Sequence, residues 1–131
     1  MKSTNILILE DAEYRITAFK NNFSNCNLTI TSDVQECIQL LSTNVYDFLF
    51  LDHDLDQRIY TPSDERSGFW VAKFVAENPQ FKPEIVCLHT KNQYGIVNMK
   101  QVLPNAIVTP EIWDIIINDW DKFAESIKLM E

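Results

Sequence analysis

The sequence predicts a single doubly wound α/β domain, residues 1–131, built on a five-stranded parallel sheet. Three observations carry that prediction. Short apolar runs (NILIL at 5–9, NLTIT at 27–31, FLFL at 48–51, EIVCL at 84–88, AIV at 106–108) alternate with longer segments of helical period. The runs are near-continuously apolar, as expected of strands covered on both faces. No repeat, linker or low-complexity segment interrupts the 131 residues, an ordinary length for one core.

The elements follow in order. The first run ends in Glu10-Asp11, and residues 12–23 place Tyr14, Ile16, Phe19 and Phe23 at roughly helical spacing. After the NLTIT strand, Ser32 or Asp33 caps a helix, with Glu36 placed to complete a capping box on Asp33. That helix buries Val34, Cys37, Ile38 and Leu41. The third strand, in YDFLFLDHDLD, stops abruptly at Asp52-His53-Asp54, side chains that are costly to bury unpaired. Residues 56–66 are polar, contain Pro62 and predict a long loop. Ser67-Gly68 leads into a helix over 69–77 that Asn78-Pro79 stops. The fourth strand ends at His89-Thr90, and a helix over 92–102 ends near Pro104. The fifth strand is followed by Thr109-Pro110 and an amphipathic helix over 111–130.

Composition narrows the function. The chain is 46% hydrophobic and 23% charged, with net charge −8. That balance argues against duplex DNA as a partner, since duplex binding relies on Lys and Arg neutralising phosphates. No signal-peptide layout and no apolar run near the ~20 residues of a membrane span occur, so a cytoplasmic location and no membrane partner are expected. Cys26, Cys37 and Cys87 form no CxxC, and Cys37 and Cys87 read as small core residues.

In doubly wound sheets, ligands bind at the carboxyl ends of the strands, at the switch in strand order. With the order 2-1-3-4-5, strands one, three and four are neighbours. Glu10, Asp11, Asp52, His53, Asp54, His89 and Thr90 then meet at one edge. His53 and His89 are the only histidines. As a pair they suit phosphoester chemistry, one imidazole activating a nucleophile and the other protonating a leaving oxygen. Asp52 or Asp54 would orient an imidazole. Glu10, Asp11 and Asp52 offer hard oxygen ligands for Mg²⁺. The plainer alternative is solvated carboxylates and hydrogen-bonded packing histidines.

Arg15, one turn into the first helix, either pairs with Asp11 or meets a phosphate. The stretch HTKNQYG (89–95) puts Thr90, Asn92 and Gly95 where a helix N-terminus offers N–H groups to an anion, with Asn98 one turn on. Gly68 marks a close backbone approach or merely a turn. Arg58, Tyr60 and Arg66 in the long loop are candidates for a lid.

The acidic pair after strand one, the aspartate ending strand three and Thr90 ending strand four resemble the receiver domain of response regulators, a flavodoxin-like architecture. That resemblance implies phosphorylation at Asp52 and an ion at Glu10-Asp11. The lysine expected at the end of strand five is missing, however, from Ile107-Val108-Thr109-Pro110. "LEDAEYR", "YDFLFLDHDL", "SGFWVAKFV" and "LHTKNQYGIVNMKQVL" resemble more closely the cyclic-phosphate-processing receivers. Matching positions are Glu10, Asp11, Arg15, Asp52, His53, Asp54, His89, Asn92 and Gly95. The resemblance implies a phosphoesterase acting on a cyclic nucleotide, a cyclic oligonucleotide or a 2′,3′-cyclic RNA end. The alternatives are a non-catalytic cyclic-nucleotide binder and an atypical receiver phosphorylated at Asp52. The last helix is apolar on several sides (Ile112, Trp113, Ile116, Trp120), which points to a homodimer surface.

Overall fold

The structure, a computed structural model, describes residues 4–24, 26–55, 58 and 61–108. Five parallel strands pair in the order β2-β1-β3-β4-β5. They are β1 (Asn5–Leu9), β2 (Asn27–Thr31), β3 (Phe48–Leu51), β4 (Ile85–Leu88) and β5 (Ile107–Val108). The expected fold and strand order are therefore what the chain adopts. The candidate lid residue Tyr60, the strand-five end at Thr109-Pro110 and the last helix with its dimer surface lie outside the described residues.

Register fixes where the polar residues emerge. Leu9 pairs with Leu51, and Leu51 with Leu88, so the three central strands end level. The backbone ladder continues for one residue beyond them: Asp52 N–H donates to Leu9 O (3.1 Å) and His89 N–H to Leu51 O (3.1 Å). Glu10, Asp52 and His89, each the first residue past its strand, thus leave the sheet side by side.

Period-two alternation sorts the strand side chains onto two faces. Leu7, Leu9, Leu49, Leu51, Val86 and Leu88 face one layer of helices. Those helices are α2 (Val34–Thr43), α3 (Gly68–Glu77) and α4 (Gln93–Val102), which contribute Cys37, Leu41, Val71, Ala72, Val75 and Met99. On the other face Ile6, Ile8, Phe48, Phe50, Ile85 and Cys87 pack on Phe19 and Phe23, from and just beyond α1 (Glu13–Asn22). Fully burying a Leu or Phe is worth roughly 1.5–3 kcal/mol, so these two layers dominate the folding energy. Cys37 and Cys87 are buried core residues as expected; burial pushes both thiols up to about 12, so neither is a nucleophile near neutral pH.

Two local expectations need correction. Tyr14 is 71% exposed rather than part of the apolar stripe; its ring lies under the Arg15 guanidinium, 5.5 Å from the ring centroid. The capping box on α2 is half formed. Asp33 Oδ1 accepts from Glu36 N–H at 2.8 Å, but Asp33's own N–H goes to Thr31 Oγ1 instead. No helix among the described residues is long and apolar enough to cross a membrane.

Candidate active site at the sheet edge

Glu10 organises the first half of the site. Its side chain is fully buried, so its four lone-pair directions need partners. Oε2 accepts the backbone N–H groups of Asp11 (3.0 Å) and Ala12 (3.1 Å). Oε1 meets His89 Nε2 at 3.0 Å and Arg15 Nη1 at 3.3 Å. Arg15 Nη1 also lies 3.5 Å from Asp52 Oδ2, so one guanidinium bridges two carboxyl groups. It pairs with Glu10 and Asp52, not with Asp11.

These contacts split the two acids. Burial alone would raise the Glu10 carboxyl, but its hydrogen bond and charge interaction with His89, aided by Asp52 and Ala12, hold it down at about 2. Asp52 goes the other way, to about 8, through burial, the Glu10 charge and a hydrogen bond to Glu10, against the opposing pull of Arg15 and of the His53 N–H. Near neutral pH the pair holds one proton, on Asp52. Arg15 is raised: its own burial opposes the charge, but the fields of Glu10 and Asp52 outweigh it.

A stability profile follows. Asp52 is raised from 3.8, so its contribution is complete below that value and is lost as pH climbs through about 8. Glu10 is lowered from 4.5, so its contribution is present above that value and is lost as pH falls through about 2. Between roughly pH 5 and 8 the folded pair binds one proton more than the unfolded chain. Stability should therefore fall by up to ~1.4 kcal/mol per pH unit across that window. Urea midpoints at successive pH values should show this slope in the wild type and not in Asp52→Asn. Parallel profiles would refute the shared proton.

The second half centres on His53. Its Nδ1 lies 2.8 Å from Asp54 Oδ1 and its Nε2 lies 2.8 Å from Ser63 Oγ. Asp54 Oδ1 also accepts from Thr61 Oγ1 (3.0 Å), Thr61 N–H (3.3 Å) and Asn92 Nδ2 (2.9 Å). Asn92 caps α4 by accepting Gly95 N–H at 3.0 Å. The Gly95 N–H is therefore engaged, not offered to an anion. Gly95 instead makes room for the imidazole, since a Cβ there would sit 2.5 Å from His53 Cγ. Asn98 Nδ2 donates to Ser63 Oγ at 2.8 Å.

The two imidazoles do not converge. Both are 0% exposed. His53 lies in the helix layer against Gly95 of α4, whereas His89 packs on Phe19 and Phe50 in the opposite layer, 5.4 and 6.4 Å between ring centroids. Leu51 pairs with Leu88, so His89 is one residue past that pair and His53 two, and period-two alternation sends the two rings to opposite faces. Each histidine instead braces a carboxylate that borders one open space, His89 the buried Glu10 and His53 the partly exposed Asp54.

That space is a cleft of about 390 Å³ lined by Glu10, Asp11, Tyr14, Arg15, Asp52, Asp54, Arg58, Thr90, Lys91 and Asn92. With Asp52 neutral, three cations (Arg15, Arg58, Lys91) face three acids there, in a chain of net charge −8. Thr90 Oγ1 accepts Asn92 N–H at the rim. Arg58 reaches the cleft while its guanidinium holds Asp64 at 3.3 and 3.4 Å. Arg66 is on the wall of a separate groove beside Asp33, and Asn98 is not on the cleft wall. A larger groove of about 600 Å³ along α1 and β2 touches the site only through Glu10.

Atoms of Glu10, Asp52 and His89 lie within 4.8 Å of one another, a grouping of the kind that holds a divalent ion. Asp11, expected among the ligands, is not part of it; His89 is. The donor types fit a metal, but the Arg15 guanidinium stands at the same oxygens, and Glu10 has every lone-pair direction engaged. An ion would have to displace Arg15.

Ser63 and Thr61 escaped sequence reading. Hydroxyls are common in a polar loop, and nothing in the linear pattern aims them at His53 or Asp54. The only available signal was loop length.

The strand order and the acidic edge define a receiver-type α/β domain. The sequence matches the cyclic-phosphate processing receiver domain over residues 6–105, and the chain belongs to that family. Solved receivers share the fold at low identity. The Mn²⁺-bound form of response regulator Rcp1 is 16% identical, with 85% of this chain and 87% of that one covered and a TM-score of 0.65. A CheY-like receiver from Methanospirillum hungatei is 13% identical (95% and 99% covered, TM-score 0.62). The receiver of a putative Luxo repressor from Vibrio parahaemolyticus is 18% identical (99% and 98% covered, TM-score 0.66). No curated protein matches the sequence.

Proposed function

We propose that the cleft binds a small cyclic phosphate ester, a cyclic nucleotide, cyclic oligonucleotide or 2′,3′-cyclic RNA end, and opens its ring. The carrying observation is Arg15, lining the cleft while bridging Glu10 and Asp52 at 3.3 and 3.5 Å. A guanidinium in that position presents fixed donors to a phosphate and offsets its charge. Asp52, neutral near pH 7, is a proton donor on the same wall, and Thr90, Lys91 and Asn92 supply further polar contacts. The family assignment supports this ligand class. The acidic cluster would bind Mg²⁺ only in a state where Arg15 has turned toward the ligand.

Incubation with a panel of cyclic phosphates, with and without Mg²⁺, is the test. Ring opening is expected, with Arg15→Ala lowering kcat/KM by ~100-fold or more, the loss of one charged contact in a shielded site. No turnover of any member, or unchanged activity in Arg15→Ala, would refute this reading.

A second reading, binding without turnover, is favoured by the burial of both imidazoles away from the cleft wall. It is distinguished by ligand recovered intact from a stable complex. Phosphorylation at Asp52 is the weakest reading, because a protonated carboxyl is a poor nucleophile and the strand-five stretch Ile107-Val108-Thr109-Pro110 lacks the receiver lysine.

A further inference from the structure

His53 does not face the cleft, so a ligand there has no direct path to its ring. Among the described residues its Nε2 faces Ser63 Oγ, at 2.8 Å. The tautomer follows from the neighbours. Asp54 Oδ1 is approached by Thr61 Oγ1, Thr61 N–H and Asn92 Nδ2, all donors, and by His53 Nδ1 at 2.8 Å. An oxygen held by so many donors is an acceptor, so Nδ1 carries the hydrogen. The 3.2 Å approach of Asn92 Nδ2 to Nδ1 is then two donors sharing one carboxylate. Nε2 is left with its lone pair, and the Ser63 hydroxyl donates to it. Asn98 Nδ2 donates to the same Oγ at 2.8 Å, fixing its direction. Ser63 is partly exposed whereas His53 is fully buried, so the reagent-accessible member of the chain is the serine.

We infer that Ser63, His53 and Asp54 form a nucleophilic relay, with Ser63 attacking a phosphorus ester. The inference rests on geometry alone for the relay and takes only its substrate class, a cyclic phosphodiester, from the proposed function; Ser63 does not line the Arg15 cleft, so the ester it attacks is not one seated against Arg15. Asp54 orients the ring and stabilises the imidazolium, and His53 takes the serine proton. For a cyclic phosphodiester, the Ser63 Oγ–P bond forms as one ring P–O bond breaks. The leaving oxygen receives the proton from Nε2. Water, deprotonated at Nε2, then attacks phosphorus, the Oγ–P bond breaks, and Ser63 recovers its proton. The net reaction consumes one water and gives an opened monoester. Asn92, by capping α4 and holding Asp54, is a positioning residue.

The probe is diisopropyl fluorophosphate, in which Oγ–P forms, P–F breaks and fluoride leaves while Nε2 takes the serine proton. A single adduct on Ser63 is expected by peptide mapping, absent from Ser63→Ala and formed at least ~100-fold more slowly in His53→Gln. Since His53→Gln removes a buried ring, ¹⁵N spectra of the wild type serve as a second measurement: Nδ1–H with an unprotonated Nε2 is expected. Labelling no faster than in urea-unfolded protein, an adduct elsewhere, or the opposite tautomer would overturn the relay. The same variants read out the natural reaction separately. Labelled Ser63 with no turnover of cyclic phosphates keeps the relay and removes the proposed function. Full turnover in Ser63→Ala does the reverse.

Discussion

Gly68→Ala is expected to cost at least about 3 kcal/mol, lowering the melting temperature by more than ~10 °C. A Cβ at Gly68 would stand 1.7 Å from the carbonyl oxygen of Asp52 and 3.2 Å from His53 Cα. The obstacle is backbone, so no side-chain rotation relieves it. Gly68 N–H also donates to His53 O at 2.9 Å, which ties the start of α3 to the end of β3. Pushing α3 away would break that bond and lift buried Val71, Ala72 and Val75 from the sheet. Urea unfolding monitored at the tryptophans is a direct measure. A loss below about 1 kcal/mol would mean that α3 retreats cheaply and that the close approach is incidental.

Glu10→Ala is expected to cost about 3–5 kcal/mol, the range for removing one partner from a buried charged network. It removes the acceptor that faces His89 Nε2 and two backbone N–H groups at once. Arg15, partly exposed, can turn to water and limit the loss. Glu10→Gln should fall between wild type and alanine, because one carbonyl oxygen remains to accept. In that variant the Asp52 carboxyl should drop but stay raised, since burial, the larger cause, remains while the Glu10 charge is gone. Carboxyl ¹³C titration of Asp52 is the measurement. An unchanged Asp52 titration would show that burial alone sets it.

Strand order and the edge location of the site were legible because they rest on features one side chain does not alter. Continuous apolar runs at 48–51 and 85–88 require two covered faces, and a polar residue ending each run marks the carboxyl edge. Direction was not legible. His53 and His89 read alike in sequence, yet one lies under α4 and the other against Phe19. Register decides which: His89 is one residue past Leu88 and His53 two past its partner Leu51, so alternation turns them to opposite faces. The same gap explains Asp11: two acids adjacent along the chain leave the strand end differently, and Glu10 alone turns into the cluster with Asp52 and His89. Gly95 was noticed as a glycine, but the ring that requires it comes from 42 positions earlier, beyond any local pattern.

The Glu10–His89 contact joins positions 79 apart along the chain, and the bridge between Asn92 and Asp54 spans 38. Such long loops close late during folding, after local helices have formed. A nascent chain emerging from the ribosome would therefore carry α1, β2 and α2 before either half of the pocket exists. Ligand affinity should switch on only once the fourth strand docks.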